Sequence, residues 1–215
     1  MEDADVVAHT TEEEQIESLK KWWNENGTSV VVGLVLGFGA LIGGNYWMQH
    51  NVAQSENASL EFSQLQDDLQ QSRSEAVMTR GDHIINNFSG TPYAVLSAFA
   101  MARIKVDEGD LLSARARLQW VLDNSKQAEF IHMARIRMAS VMLAEGNADG
   151  ALSLINTVEA GEYLPLYEEL KGDIYASLSQ LNQARGAYEK ALQANAQGDN
   201  SLLQMKLDDL GGEGT

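Results

Sequence analysis

From Leu178 to Ala191 the chain reads LSQLNQARGAYEKA, a turn at Ser179-Gln180 followed by a run that sets Ala184 and Tyr188 four residues apart on one helical face. Gly172 stands seven residues before that turn. The same arrangement occurs twice upstream. Ala102 precedes Gly109-Asp110 by seven positions, with Ala114 and Leu118 beyond, and Ala139 precedes Gly146-Asn147 by seven, with Ala151 and Ile155 beyond. The segments Ala102 to Val121, Ala139 to Val158 and Gly172 to Ala191 thus share one template, at offsets of 37 and then 33 residues. Small residues at fixed points of two helices joined by a tight turn let the backbones approach, and larger ones would splay the pair.

The offsets bracket the roughly 34 residues of a tetratricopeptide repeat. The 3.6-residue period extends on both sides, with Ala58, Phe62, Leu65 and Leu69 on one face and Leu166, Leu170, Ile174 and Leu178 on another. No run alternates as a strand does, so the expected class is all-α. Helices at about Val52 to Gln71 and Glu75 to Phe88 form a divergent first hairpin, Ser201 to Leu210 a capping helix, and Gly211 to Thr215 a frayed end. Pro92 and Pro165 fall where a first helical turn tolerates proline.

Composition narrows the function. The 215 residues carry 31 acidic and 15 basic side chains, a net charge of −16 that repels phosphate backbones and argues against nucleic-acid binding. The absence of cysteine excludes disulfides, thiolate metal sites and cysteine nucleophiles. Mean hydropathy is −0.25, but it averages unlike parts. From Thr28 to Met48 the chain reads TSVVVGLVLGFGALIGGNYWM without a charged residue, about 31 Å of helix at about 1.5 Å per residue, enough to cross a hydrocarbon core. Trp22-Trp23 and Tyr46-Trp47 flank it at headgroup depth. The run is too long and too late for a signal peptide.

This divides the chain into an acidic tail (residues 1–27), a transmembrane helix (28–48) and a helical repeat domain (49–215). Lys20 and Lys21 precede the span whereas the next basic residue is Arg73, which puts the N-terminus in the cytoplasm and the repeats outside. The stretch Thr11 to Asn24 is expected to be a short amphipathic helix opening on Glu12 to Glu14. Gly33, Gly37, Ala40 and Gly44 line one stripe of the span, suited to close approach of another membrane helix, although glycine is also commoner in membrane helices generally.

Resemblance to the tetratricopeptide repeat implies that the first helix of each pair lines the concave face. Its inner positions read Leu96, Phe99 and Arg103, then Met133, Ile136 and Leu143, a mostly apolar groove open either to a partner segment or to the chain's own terminal helix. The doublets Arg103/Lys105, Arg115/Arg117 and Arg135/Arg137 each point two ways, as residues two apart on a helix do, and read as solvated pairs or as a basic stripe for a partner. His9, His50, His83 and His132 are scattered, so no metal or cofactor is expected. The adjacent carboxylates Asp67-Asp68 and Glu168-Glu169 diverge by about 100° and read as solvated faces rather than a proton-sharing pair. No nucleophile elbow or phosphate loop is present, and an enzyme is not expected.

The stretches LKKWWNENG (Leu19 to Gly27), GLVLGFGALIGGNYW (Gly33 to Trp47) and LQMKLDDL (Leu203 to Leu210), with the repeats between, resemble the YfgM family, ancillary subunits of the bacterial SecYEG translocon. The resemblance implies a single-pass inner-membrane protein with a periplasmic tetratricopeptide-like domain. It also implies association with SecYEG and with a membrane-anchored periplasmic chaperone of the prolyl-isomerase type, so that unfolded secreted chains meet folding factors as they emerge. The alternative is a regulator whose cytoplasmic tail holds a stress-signalling protein.

Overall fold

The computed structural model describes residues 3–195 and 198–211, with side chains from residue 14 onward. All of the regular structure among these residues is helical: α1 (Asp3–Gln70), α2 (Ser74–Asn87), α3 (Pro92–Asp107), α4 (Leu111–Asn124), α5 (Ala128–Ala144), α6 (Ala148–Asn156), a 3-10 turn (Gly161–Tyr163), α7 (Leu164–Ser177), α8 (Leu181–Ala194) and α9 (Ser201–Gly211). The chain divides into two compact units, 1–53 and 54–215.

The first difference from the sequence reading is α1. Tail, apolar stretch and first array helix were expected as separate helices, but they form one, Asp3–Gln70. No proline interrupts this range, and its glycines, though each costs about 1 kcal/mol against alanine in water, leave the hydrogen-bond ladder intact. Glu12 to Glu14 therefore lie inside a helix and not in its first turn. The expected fraying reaches Gly211, which is helical, and otherwise falls on 212–215, outside the described residues.

In the second unit, successive helices from α2 to α9 pack as neighbours, and α3 meets α5 and α5 meets α7, so the first helices of adjoining hairpins touch as repeats require. Each hairpin closes on the same device. Ser72, Gly109, Gly146 and Ser179 take left-handed φ values of 55°, 79°, 80° and 58°. In the third hairpin's turn, the N–H of Asn147 donates to Met142 O and that of Gly146 to Leu143 O, and the other three turns repeat the pattern: Arg73 to Asp68 with Ser72 to Leu69, Asp110 to Lys105 with Gly109 to Val106, Gln180 to Tyr175 with Ser179 to Ala176. These paired bonds satisfy carbonyls that a helix end would otherwise orphan. The Asp110 and Asn147 side chains then cap the next helices, accepting from the N–H groups of Ser113 and Gly150. Pro92 and Pro165 both lie in first turns.

The template residues are the core. Ala102, Ala139, Ala114, Ala151 and Ala184 are buried, as are Leu118, Ile155 and Tyr188 opposite them. Gly172 replaces alanine where the opposing residue is tyrosine: a Cβ there would stand 2.8 Å from Cζ of Tyr188 and closer still to Cδ1 and Cε1. The shorter second offset comes from α6 and α7, of 9 and 14 residues against 14 and 17 for α4 and α5, partly offset by a longer link.

Apolar burial is serial. One cluster runs from Leu65 and Val77 through Met101 to Val121 and Ala134, a second joins Ala139, Ile155, Tyr167 and Ile174, and a third joins Ala184, Tyr188 and Ala191 to Leu203 and Leu207 of α9. So α9 is a cap on the last hairpin. Two sequence expectations change here. On α7 Leu170 and Ile174 are buried as expected, but the place one turn before them goes to Tyr167, three residues ahead of Leu170, while Leu166 is exposed. Of the carboxylate pairs read as solvated, Asp68 and Glu168 are buried, since each has a cation to hold: Asp68 takes Arg73 at 2.6 Å and Arg80 at 3.1 Å, and Glu168 takes Lys171 at 2.6 Å.

Candidate functional site

In the first unit every side chain from Val31 to His50 is exposed, including Leu36, Phe38, Leu41 and Ile42. One helix among the described residues is long and apolar enough to cross a membrane, and it contains this stretch. A Cβ built on Gly33, Gly37 or Gly44 would meet nothing within 4 Å, and Ala40 is exposed, so the stripe of small residues is presented outward. Trp22 and Trp23 are both about half exposed at its N-terminal side.

In the second unit a groove of about 550 Å³ lies between α3 and α5. It is lined by the exposed Val106 and Ala144 and by the buried Leu118 of α4. Phe99 lies almost buried at one end, edge-on to Phe130 with ring centres 6.3 Å apart. The Arg137 guanidinium lies 4.5 Å from the centre of the Phe99 ring, a cation–π contact worth about 0.5–1 kcal/mol. Partial burial holds the pKa of Arg137 below its ordinary value, and the charge of Arg103 adds to the effect. Among the described residues Arg103 itself reaches only the exposed Asp107, at 3.8 Å.

Of the positions expected to line the groove, Phe99 and Arg103 do. Leu96 is half-buried on α3 outside it, Met133 packs on the first core cluster, and Ile136 and Leu143 pack on the second. From α5 the groove receives Arg137, Ser140, Val141 and Ala144 instead. The reason is geometric. Two neighbouring helices show opposite flanks to the space between them: the offset of 37 carries Phe99 onto Ile136, one position short of Arg137, although it carries Arg103 onto Ser140, which does line the groove. The terminal helix does not fill the groove, because α9 spends Leu203 and Leu207 on α8.

The basic doublets diverge as their spacing requires. Arg115 donates to Glu145 at 2.8 Å while Arg117 donates to Asp82 of α2 at 2.6 Å, so α4 ties the hairpins on either side of it. Lys105 pairs with Glu108 at 2.7 Å. His132 stacks on Tyr163 at 4.5 Å and its Nδ1 lies 3.0 Å from the Tyr167 hydroxyl, which fastens the 3-10 turn and α7 to α5. Among the described residues no three side chains of metal-binding type converge.

The sequence pattern of the tetratricopeptide repeat-like domain family matches residues 20–212. A Haemophilus influenzae protein named ancillary SecYEG translocon subunit is 30% identical over 205 residues, covering 95% of this chain and all of that one. An Escherichia coli protein of the same name is 27% identical over 203 residues, covering 94% and 98%. Among solved structures, MamA (41-end) from Desulfovibrio magneticus RS-1 superposes with a TM-score of 0.52 at 17% identity, over 72% of this chain and 93% of that one, a likeness of fold. With the repeats packed hairpin on hairpin and relatives aligned from end to end, the chain belongs to the tetratricopeptide repeat-like family of ancillary SecYEG translocon subunits.

Proposed function

We propose that the protein is a non-catalytic scaffold of the inner membrane, associated with SecYEG and holding its repeat domain on the periplasmic side. The observation that carries this reading is likeness over nearly the whole chain to proteins named as translocon subunits. The exposed apolar stretch supports the anchor, and Lys20 and Lys21 support a cytoplasmic N-terminus. Residues 1–27 then lie in the cytoplasm, 28–48 in the bilayer and 49–215 in the periplasm. Gly33, Gly37, Ala40 and Gly44 face a partner helix in the membrane, and the groove around Phe99 and Arg103 receives a protein segment. The periplasmic partner is a membrane-anchored chaperone of the prolyl-isomerase type, which brings unfolded secreted chains to folding factors.

Purification in mild detergent followed by mass spectrometry tests the association. Recovery of SecYEG components and of such a chaperone is expected, and their absence refutes the scaffold. G33L/G37L should lower recovery of membrane partners without changing the fold of the repeats. The cysteine-free chain suits topology mapping: a membrane-impermeant maleimide applied from the periplasmic side should label S201C and spare S18C, and the reverse overturns the orientation.

A further inference from the structure

We propose that the groove between α3 and α5 recognises a protein segment carrying a single carboxylate next to a large apolar side chain, with Arg103 and Arg137 reading the carboxylate and Phe99, Val106 and Leu118 receiving the apolar group. The proposal rests on the reading of the repeats as a partner-binding surface and specifies the chemistry of the partner.

The second unit is strongly acidic, and many of its cations are already committed: Arg73 to Asp68, Arg80 to Glu61 and Asp68, Lys105 to Glu108, Arg115 to Glu145, Arg117 to Asp82, Lys171 to Glu168, Lys206 to Glu169 and Asp173. Arg137 has no carboxylate partner among the described residues. Its guanidinium rests on an aromatic ring, with a second guanidinium, that of Arg103, close enough to disfavour its charge. Asp107, also on the groove, reaches Arg103 only at 3.8 Å with both side chains exposed, so the two like charges are further relieved by an incoming anion, and the planar fork of arginine matches a carboxylate with two parallel hydrogen bonds.

The walls then restrict the anion. Free phosphate would bury no apolar surface against Phe99 and Val106, and a run of carboxylates would meet the acidic field of the surrounding repeats. One carboxylate flanked by an apolar side chain satisfies both the arginines and the wall. The volume of about 550 Å³ suits one or two side chains of an extended segment.

The test uses the full chain in maltoside detergent and three fluorescein-labelled peptides with blocked ends, GSLFDLSG, GSLFNLSG and GSSSDSSG, followed by fluorescence anisotropy. The first should bind at least about tenfold more tightly than either other peptide, a difference of about 1.4 kcal/mol. R103Q/R137Q should weaken binding of GSLFDLSG by about tenfold and leave GSLFNLSG unchanged, the pattern of two lost charge-assisted hydrogen bonds. V106E, at an exposed wall position, should also weaken GSLFDLSG by placing a like charge beside its aspartate. Thermal melting of the variants verifies that each is folded. Equal affinity for the first two peptides, indifference to R103Q/R137Q, or no saturable binding of GSLFDLSG up to about 1 mM overturns the proposal. Co-purification with SecYEG is scored separately: its survival alongside a negative peptide result removes the carboxylate reading and leaves the scaffold, whereas its loss removes the scaffold whatever the peptides do.

Discussion

Gly172→Ala puts the packing rule of the array to its sharpest test. In an exposed helix this change stabilises by about 1 kcal/mol, because alanine loses less backbone freedom than glycine. Here the new methyl would stand 2.8 Å from Cζ of Tyr188 and closer to two other ring carbons, where unstrained carbon contacts are about 3.5–4.0 Å. The ring cannot withdraw cheaply. Its hydroxyl donates to Asp173 Oδ1 at 2.8 Å, Lys206 Nζ lies 5.8 Å from its centre, and the residue is 3% exposed. Overpacking of this kind costs about 1–3 kcal/mol, and with the anchored ring the upper half of that range applies, leaving a net loss of about 1–2 kcal/mol. Y188L alone should cost about 2–4 kcal/mol through the void and the lost hydroxyl bond. The double variant G172A/Y188L recreates the alanine–leucine pair already present at Ala102 and Leu118, so it should be more stable than the sum of the single effects by about 1–2 kcal/mol. Denaturant unfolding of the full chain in detergent gives the energies, and amide exchange should locate the loss in α7, α8 and α9, since repeat arrays respond locally. A G172A protein as stable as the parent, or additivity within about 0.3 kcal/mol, would refute the reasoning.

The hairpin turns give a matched pair of opposite sign. S179G and S72G should each stabilise by about 0.5 kcal/mol, because a non-glycine residue in the left-handed region is strained by about 1 kcal/mol and glycine returns part of that gain as chain entropy, whereas G109A should destabilise by about 1 kcal/mol; thermal melting reads all three. For Lys206, burial disfavours the charge, but hydrogen bonds to Asp173 and Glu169 outweigh it and hold the pKa above the ordinary lysine value. A raised lysine pKa gives stability that is complete below the unfolded value of 10.5 and lost as pH rises through the folded value, so amide protection of α9 should hold steady through neutral pH and fall only in strong alkali. K206Q should remove that alkaline step and loosen α9 at every pH.

What the sequence disclosed and what it concealed both follow from side-chain size. The hairpins at Gly109, Gly146 and Ser179 were legible because each places a small residue on its first helix and a larger one sixteen positions later, and the period of that contrast survives without any alignment. The first hairpin keeps the spacing but has its large residue on the first helix and its small one on the second. Leu65 stands seven residues before the turn residue Ser72, and Gly81, sixteen beyond Leu65, takes the second helix. Both are buried, and the space that a Cβ on Gly81 would need is filled by Met101 of α3, whose Cγ would lie at 2.8 Å. A search for small residues on the first helix passes over such a pair, although the left-handed turn and its hydrogen bonds are the same. The groove was half legible for a related reason. Phe99 and Arg103 follow from the inner face of α3, but Arg137 belongs to the flank of α5 that looks back at α3, and in the sequence it is only one member of a doublet. Translating α3 onto α5 by the offset of 37 finds Ser140 from Arg103 but replaces Arg137 by Ile136, which meets the second core cluster. Residues that fill the space between repeats must therefore be sought on both facing flanks, Arg103 with Arg137, and not only at equivalent positions.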